Sequence, residues 1–148
     1  MYAVFLAAIM PKKGPEVVTL YPEGVLSNNE IEELSLKCMP LGSNEGDFSS
    51  IVFSSYQVAG ILTTTPPIDK NIEPRDTMIS IGFLLGNYTN PTPYRNFLID
   101  FVSKCEKHES FNLSTLKKII PEFFKLKNQR EILISLDKDF ICELKLGN

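Results

Sequence analysis

Residues 1–21 read MYAVFLAAIMPKKGPEVVTLY, and the alternation within them decides the fold. Along residues 2–10 both side-chain sets are apolar: Tyr2, Val4, Leu6 and Ala8 on one side, Ala3, Phe5, Ala7 and Ile9 on the other. Successive side chains of a strand point to opposite faces, so a strand apolar on both belongs in the middle of a sheet covered on both sides. Residues 11–15, PKKGP, forbid regular pairing and make a turn. Residues 16–21, EVVTLY, are β-branched and short, a natural hairpin partner for the first strand. Residues 78–85, MISIGFLL, are again apolar on both sets and mark a second central strand.

Between and after these strands the signals alternate. Ser27 and Glu30 form an S-x-x-E capping box, and Ile31, Leu34 and Cys38 follow as one apolar stripe, so a helix begins there and ends at Pro40. Residues 41–47 are a polar loop. Residues 48–54 and 57–65 read as two further strands, the second stopped by Pro66 and Pro67. Residues 68–76 are a polar connection. Thr92 is expected to cap a helix with Pro93 in its first position, and Phe97, Leu98, Phe101, Val102 and Cys105 form its stripe. Residues 113–127 are helical in pattern, with Pro121 expected to kink or divide them. Residues 132–136 and 140–144 bracket Asp137-Lys138-Asp139 as a closing hairpin. The expected order is ββαβββαα followed by that hairpin.

The chain has 148 residues with 43% hydrophobic and 22% charged residues. That reads as one globular domain, with residues 1–127 as its core and 128–148 as a hairpin extension. Fifteen Lys and Arg against eighteen Asp and Glu leave a net charge of −3, which argues against nucleic acid as a partner. Cys38, Cys105 and Cys142 have no C-x-x-C spacing, so three reduced, buried thiols are expected rather than a zinc site or a disulfide framework. The apolar N-terminal run stops at Pro11, too short to span a bilayer and without a basic leader. A cytoplasmic protein follows, with no membrane span; the sequons at Asn87 and Asn112 then have no meaning.

The ordered set of features resembles longin domains, in particular those of the nitrogen permease regulator 2-like, folliculin and DENN group of GTPase regulators. It comprises the Gly14-Pro15 hairpin followed by Glu16-Val17-Val18, Arg75 shortly before Gly82-Phe83, the Ile120-Pro121 step and the closing hairpin. The resemblance implies an α/β (α+β) fold of the longin type, a five-stranded antiparallel meander flanked by helices on both faces. It implies a regulatory module that binds a small Ras-like GTPase, and a homodimer or a heterodimer with another longin or roadblock-like protein. It also implies that Arg75 is a candidate catalytic arginine finger. The spacing from Arg75 to the Gly-Phe step is shorter than in that family.

The residues themselves leave two readings of Arg75 open. A planar, always-charged fork on a loop can enter a partner's site and neutralise charge on a transferred phosphoryl group. Alternatively it is a solvated loop residue, with Asp76 expected to tie it down and Glu73 and Asp69 able to do likewise. Arg95 is a second, weaker candidate at a helix start. The loop Gly42-Ser43-Asn44-Glu45-Gly46-Asp47 lacks the Lys-Ser/Thr pair of a phosphate cradle. His108, between Lys107 and Glu109, reads as solvated, so no metal, cofactor or hydrolase site is expected. Phe97, Phe101, Phe123 and Phe124 read as core. Residues 16–21 or 48–54 would offer an edge for strand addition. Besides GTPase regulation, a non-catalytic membrane-trafficking adaptor and, more remotely, a profilin-like actin binder stay in view.

Overall fold

The centre of the molecule is the pair of strands that the sequence marks as apolar on both faces. A computed structural model describes residues 1–40, 42–53 and 55–147, without the side chains of residues 50 and 53. Strands β1 (Ala3–Met10), β2 (Gly14–Tyr21), β3 (Phe48–Phe53), β4 (Tyr56–Thr65) and β5 (Thr77–Gly86) form one five-stranded sheet in the order β2-β1-β5-β4-β3. Every pairing in it is antiparallel. The expected meander is corrected here. The chain leaves the first hairpin and returns so that β5 pairs with β1, because each of these two strands needs a neighbour on both sides and a cover on both faces. Of the expected 48–54 strand, Ser54 lies outside the described residues, as does Leu41 in the 41–47 loop.

Helix α1 (Asn28–Lys37) covers one face. Its start is the capping box read from sequence: Ser27 Oγ accepts from the Glu30 amide at 3.2 Å, and Glu30 returns a carboxylate oxygen to the Ser27 amide at 3.0 Å. Leu34 and Cys38 pack on Ala3, Phe5 and Ala7 of β1 and on Val58 and Leu62 of β4. The opposite face carries helix α2 (Thr92–Cys105), helix α3 (Leu113–Ile119), a 3₁₀ segment (Ile120–Lys127), and the two-stranded sheet of β6 (Glu131–Asp137) and β7 (Phe140–Lys145). Pro121 divides the 113–127 helix as expected, since it has no N–H to continue an α-helical ladder.

Thr92 is not the cap it was expected to be. It is the first residue of α2, the N-cap is Pro91 with no side-chain bond, and Asn90 Oδ1 accepts from the Thr92 amide at 3.1 Å. The asparagine two residues earlier reaches that amide through a local turn, which leaves the threonine hydroxyl outside. The terminal hairpin contributes Ile132, Ile134, Leu136, Cys142 and Leu144 to the larger core cluster.

Close packing on the α1 face depends on a missing side chain. Phe5 pairs across the strands with Gly82, and a Cβ at Gly82 would sit 2.6 Å from Phe5 Cζ and 3.0 Å from the Ala59 carbonyl oxygen. Phe5 is fully buried and cannot swing away. Gly82→Ala is therefore expected to destabilise the fold by about 1–3 kcal/mol through overpacking. The midpoint of a urea unfolding curve reads this directly, and Phe5→Leu in the same chain should restore part of the loss.

Candidate functional site

The β4–β5 connection carries Arg75, and its local hydrogen bonds explain how the side chain is held. The Asp69 carbonyl accepts from the Ile72 and Glu73 amides at 3.2 and 3.0 Å, while Asp69 Oδ1 accepts from the Asn71 amide at 2.9 Å. This turn presents Glu73 towards Arg75. Glu73 Oε1 accepts from both the Arg75 amide, at 3.1 Å, and Arg75 Nε, at 2.9 Å; Glu73 Oε2 accepts from Nη2 at 3.0 Å. Of the three acids able to tie it down, Asp76, Glu73 and Asp69, the tether is Glu73. A carboxylate two residues upstream reaches the backbone amide and the guanidinium together.

The Arg75 side chain is 84% exposed and that of Glu73 37%. Hydrogen bonds from the Arg75 side chain, then from its backbone, lower the Glu73 carboxyl to about 2. The same side-chain bond raises Arg75, which stays charged throughout.

Arg75 lines an open cleft of about 400 Å³ at one end of the sheet, where the β4–β5 connection faces the β1–β2 turn. Lys12, in the left-handed region at φ 64°, lines it from the turn, and the exposed Ile9 and Ile68 give it an apolar rim. The described lining includes no His, Cys, Ser or Tyr. What the cleft offers chemically is two cations, Lys12 and Arg75, set against two carboxylates, Glu73 and Asp76, with the guanidinium as a planar donor.

Arg95 is elsewhere, on the first turn of α2. Its guanidinium carbon lies 5.5 Å from the centre of the Phe48 ring, and its Nε is buried with no hydrogen-bond partner among the described residues. The structure does not bring Arg75 and Arg95 into one cleft lining.

His108 is not solvated, which corrects the expectation. Its side chain is 21% exposed, with Nε2 3.3 Å from Asp137 Oδ2, its ring 4.6 Å from that of Phe140, and Nδ1 accepting from the Ser110 amide at 3.0 Å. Asp137 Oδ1 also accepts from the Asp139 and Phe140 amides. The group clasps the α2–α3 connection onto the β6–β7 turn. It brings Ser, His and Asp together, but the Ser110 hydroxyl faces Asp137 at 3.4 Å and the backbone occupies the imidazole nitrogen a serine would need. Sequence reasoning missed this contact, because the partners lie far apart in the chain.

The three cysteines are buried and free. Burial is the largest effect pushing Cys38 and Cys105 up to about 12, and Cys105 also meets Cys142 across the α2–β7 contact. Phe97 and Phe101 each stand edge-on to Phe123, at 5.0 and 4.9 Å. Phe124 is half-buried at the margin of that core, packed against it and flanked by Tyr21 at 5.5 Å and Lys127 Nζ at 5.4 Å. The glycine loop is a plain connection, pinned to β4 by the Gly46 amide donating to the Leu62 carbonyl at 2.8 Å. Among the described residues no group of three metal-ligating side chains occurs, and no helix is long and apolar enough to cross a membrane.

The fold is therefore α+β, an antiparallel sheet with helices on both faces and an arginine-bearing cleft at one end. Compared with protein-family models the chain matches none, and no curated protein matches it either.

The Arg75–Glu73 contact has a titration signature. A carboxyl lowered in the folded state contributes stability that is present above its unfolded pKa and lost as pH falls through the folded value. For Glu73 that window runs from the ordinary 4.5 down to about 2. Carbon-detected NMR should find this carboxyl titrating below the ordinary glutamate range, and Arg75→Ala should return it towards that range.

Proposed function

We propose that this chain is a longin-type regulatory module that binds a small Ras-like GTPase and presents Arg75 to accelerate GTP hydrolysis. The observation that carries this reading is the exposure of Arg75, 84% at the side chain, on a connection beside a cleft with apolar rims. What supports the longin reading is the five-stranded antiparallel sheet with helices on both faces, although its strand order differs from the meander expected. The chemistry agrees: a guanidinium supplied in trans neutralises charge on the transferred phosphoryl group and needs no base or nucleophile of its own. GTP turnover of purified Ras-like GTPases, measured with wild-type and Arg75→Ala protein, tests it. The variant should lose roughly 10³–10⁵ of the stimulated rate while still binding. Unchanged stimulation removes Arg75 from the mechanism, and no binding to any GTPase overturns the reading.

A second reading, a scaffold that pairs through a strand edge, has its own observation. Of the two edges β2 is blunted: Pro15 has no N–H, and the Val17 amide donates to Ser35 Oγ of α1 at 3.2 Å. Strand β3, FSSIVF, has neither proline nor charge, and Val52 on it is 66% exposed. Such an edge is a template for another strand. A second copy, or another longin or roadblock-like protein, would extend the sheet there. Sedimentation velocity should show a dimer or a mixed complex that Val52→Lys dissociates, while the fold of the monomer is kept.

A further inference from the structure

We propose that the cleft between the β1–β2 turn and the β4–β5 connection is a phosphoryl-binding site, and that Glu73 holds at rest the place such a group takes. This rests on the reading of Arg75 given above and adds its resting state and its regulation. The Nε–Nη2 edge of a guanidinium is one that grips two oxygens of an oxyanion in parallel. In this chain that edge is filled, at 2.9 and 3.0 Å, by the two oxygens of Glu73. The carboxylate is not there by a chance rotamer. The Glu73 amide is fixed to the Asp69 carbonyl at 3.0 Å, and Oε1 also accepts from the Arg75 amide at 3.1 Å, so the loop backbone delivers the acid to the fork.

Lys12 lines the same cleft from the opposite turn and makes no ion pair among the described residues. A phosphoryl group that displaced Glu73 would meet the Arg75 fork with Lys12 in the same cleft, two cations against the one remaining carboxylate, Asp76. An exposed ion pair contributes little, so Glu73 is a weak competitor. It lowers the affinity of Arg75 for a bare anion and is displaced by a phosphoryl group that a bound partner presents in place.

The experiment has two arms. In the first, inorganic phosphate is titrated into the wild type, Glu73→Gln, Glu73→Ala and Lys12→Ala, with the Arg75 Nε–Hε NMR signal as the readout. Removing the charge at Glu73 should tighten phosphate binding about two- to fivefold, and Lys12→Ala should weaken it. Identical responses of the wild type and both Glu73 variants overturn the proposal, as does a signal that never moves. In the second arm, stimulated GTP turnover is measured below saturation. Glu73→Gln should raise it by a similar factor, and should have no effect once Arg75 is alanine. If Glu73→Gln acts equally in the Arg75→Ala background, Glu73 works by another route and the proposal falls. If the phosphate arm holds and no GTPase responds, the anion site stands and the GTPase reading falls. If Arg75 is needed for turnover but neither arm responds to Glu73, the reading stands and the resting contact has no role.

Discussion

Two strands that are apolar on both faces cannot lie at an edge or face water, and the rest of the architecture follows from covering them. Residues of β1 are fully buried from Ala3 to Ala8, and β5 is buried over most of its length. Neither face can be left open, so α1 must fold back on one side while α2, α3, the 3₁₀ segment and the terminal hairpin close the other. The two covers differ. The α1 side is thin and uses small groups, Ala3, Ala7 and Gly82, with Phe5 filling the space over the glycine. The other side is thick and aromatic, built on Phe83, Phe97, Phe101 and Phe123.

The cleft at the end of the sheet is a by-product of that arrangement. Because β5 lies beside β1, the connection entering β5 and the turn leaving β1 come to the same end. Residues some sixty positions apart in the chain thereby share one hollow, with Lys12 on one wall and Arg75 on the other. The positive φ at Lys12 and at Gly14 shapes the turn that makes the first wall. The second wall is an ordinary polar loop, made definite by Asp69 and Glu73.

The local features were legible because their causes are local. The capping box at Ser27 and Glu30, the division at Pro121 and the double-sided apolar runs each rest on residues within a few positions of one another. Strand order was not legible, since alternation says that a strand is central but not which strand lies beside it. The same limit hid the clasp between His108 and Asp137 and the meeting of Cys105 with Cys142, both of which depend on where the hairpin docks. Thr92 failed for a different reason: Asn90 and Thr92 are both good partners for the free amides of a helix start, and the choice between them lies in backbone angles. At the candidate site the sequence identified the arginine and its acidic neighbours, but not which acid holds it. That depends on the Asp69 turn, which brings Glu73, not Asp76, to the guanidinium.

The ten-residue length of β4 has a consequence for assembly. Val52, on the open edge, pairs with Gln57 near the start of β4, whereas the Arg75 connection leaves from the far end of that strand at Thr65. At about 3.3 Å per residue, the two places are roughly 26 Å apart along the strand. A strand added beside β3 would reach at most the level of Ile61, the partner of Phe48, four residues short of Thr65. Strand addition at the flank and occupation of the cleft at the end would therefore draw on different residues of the chain.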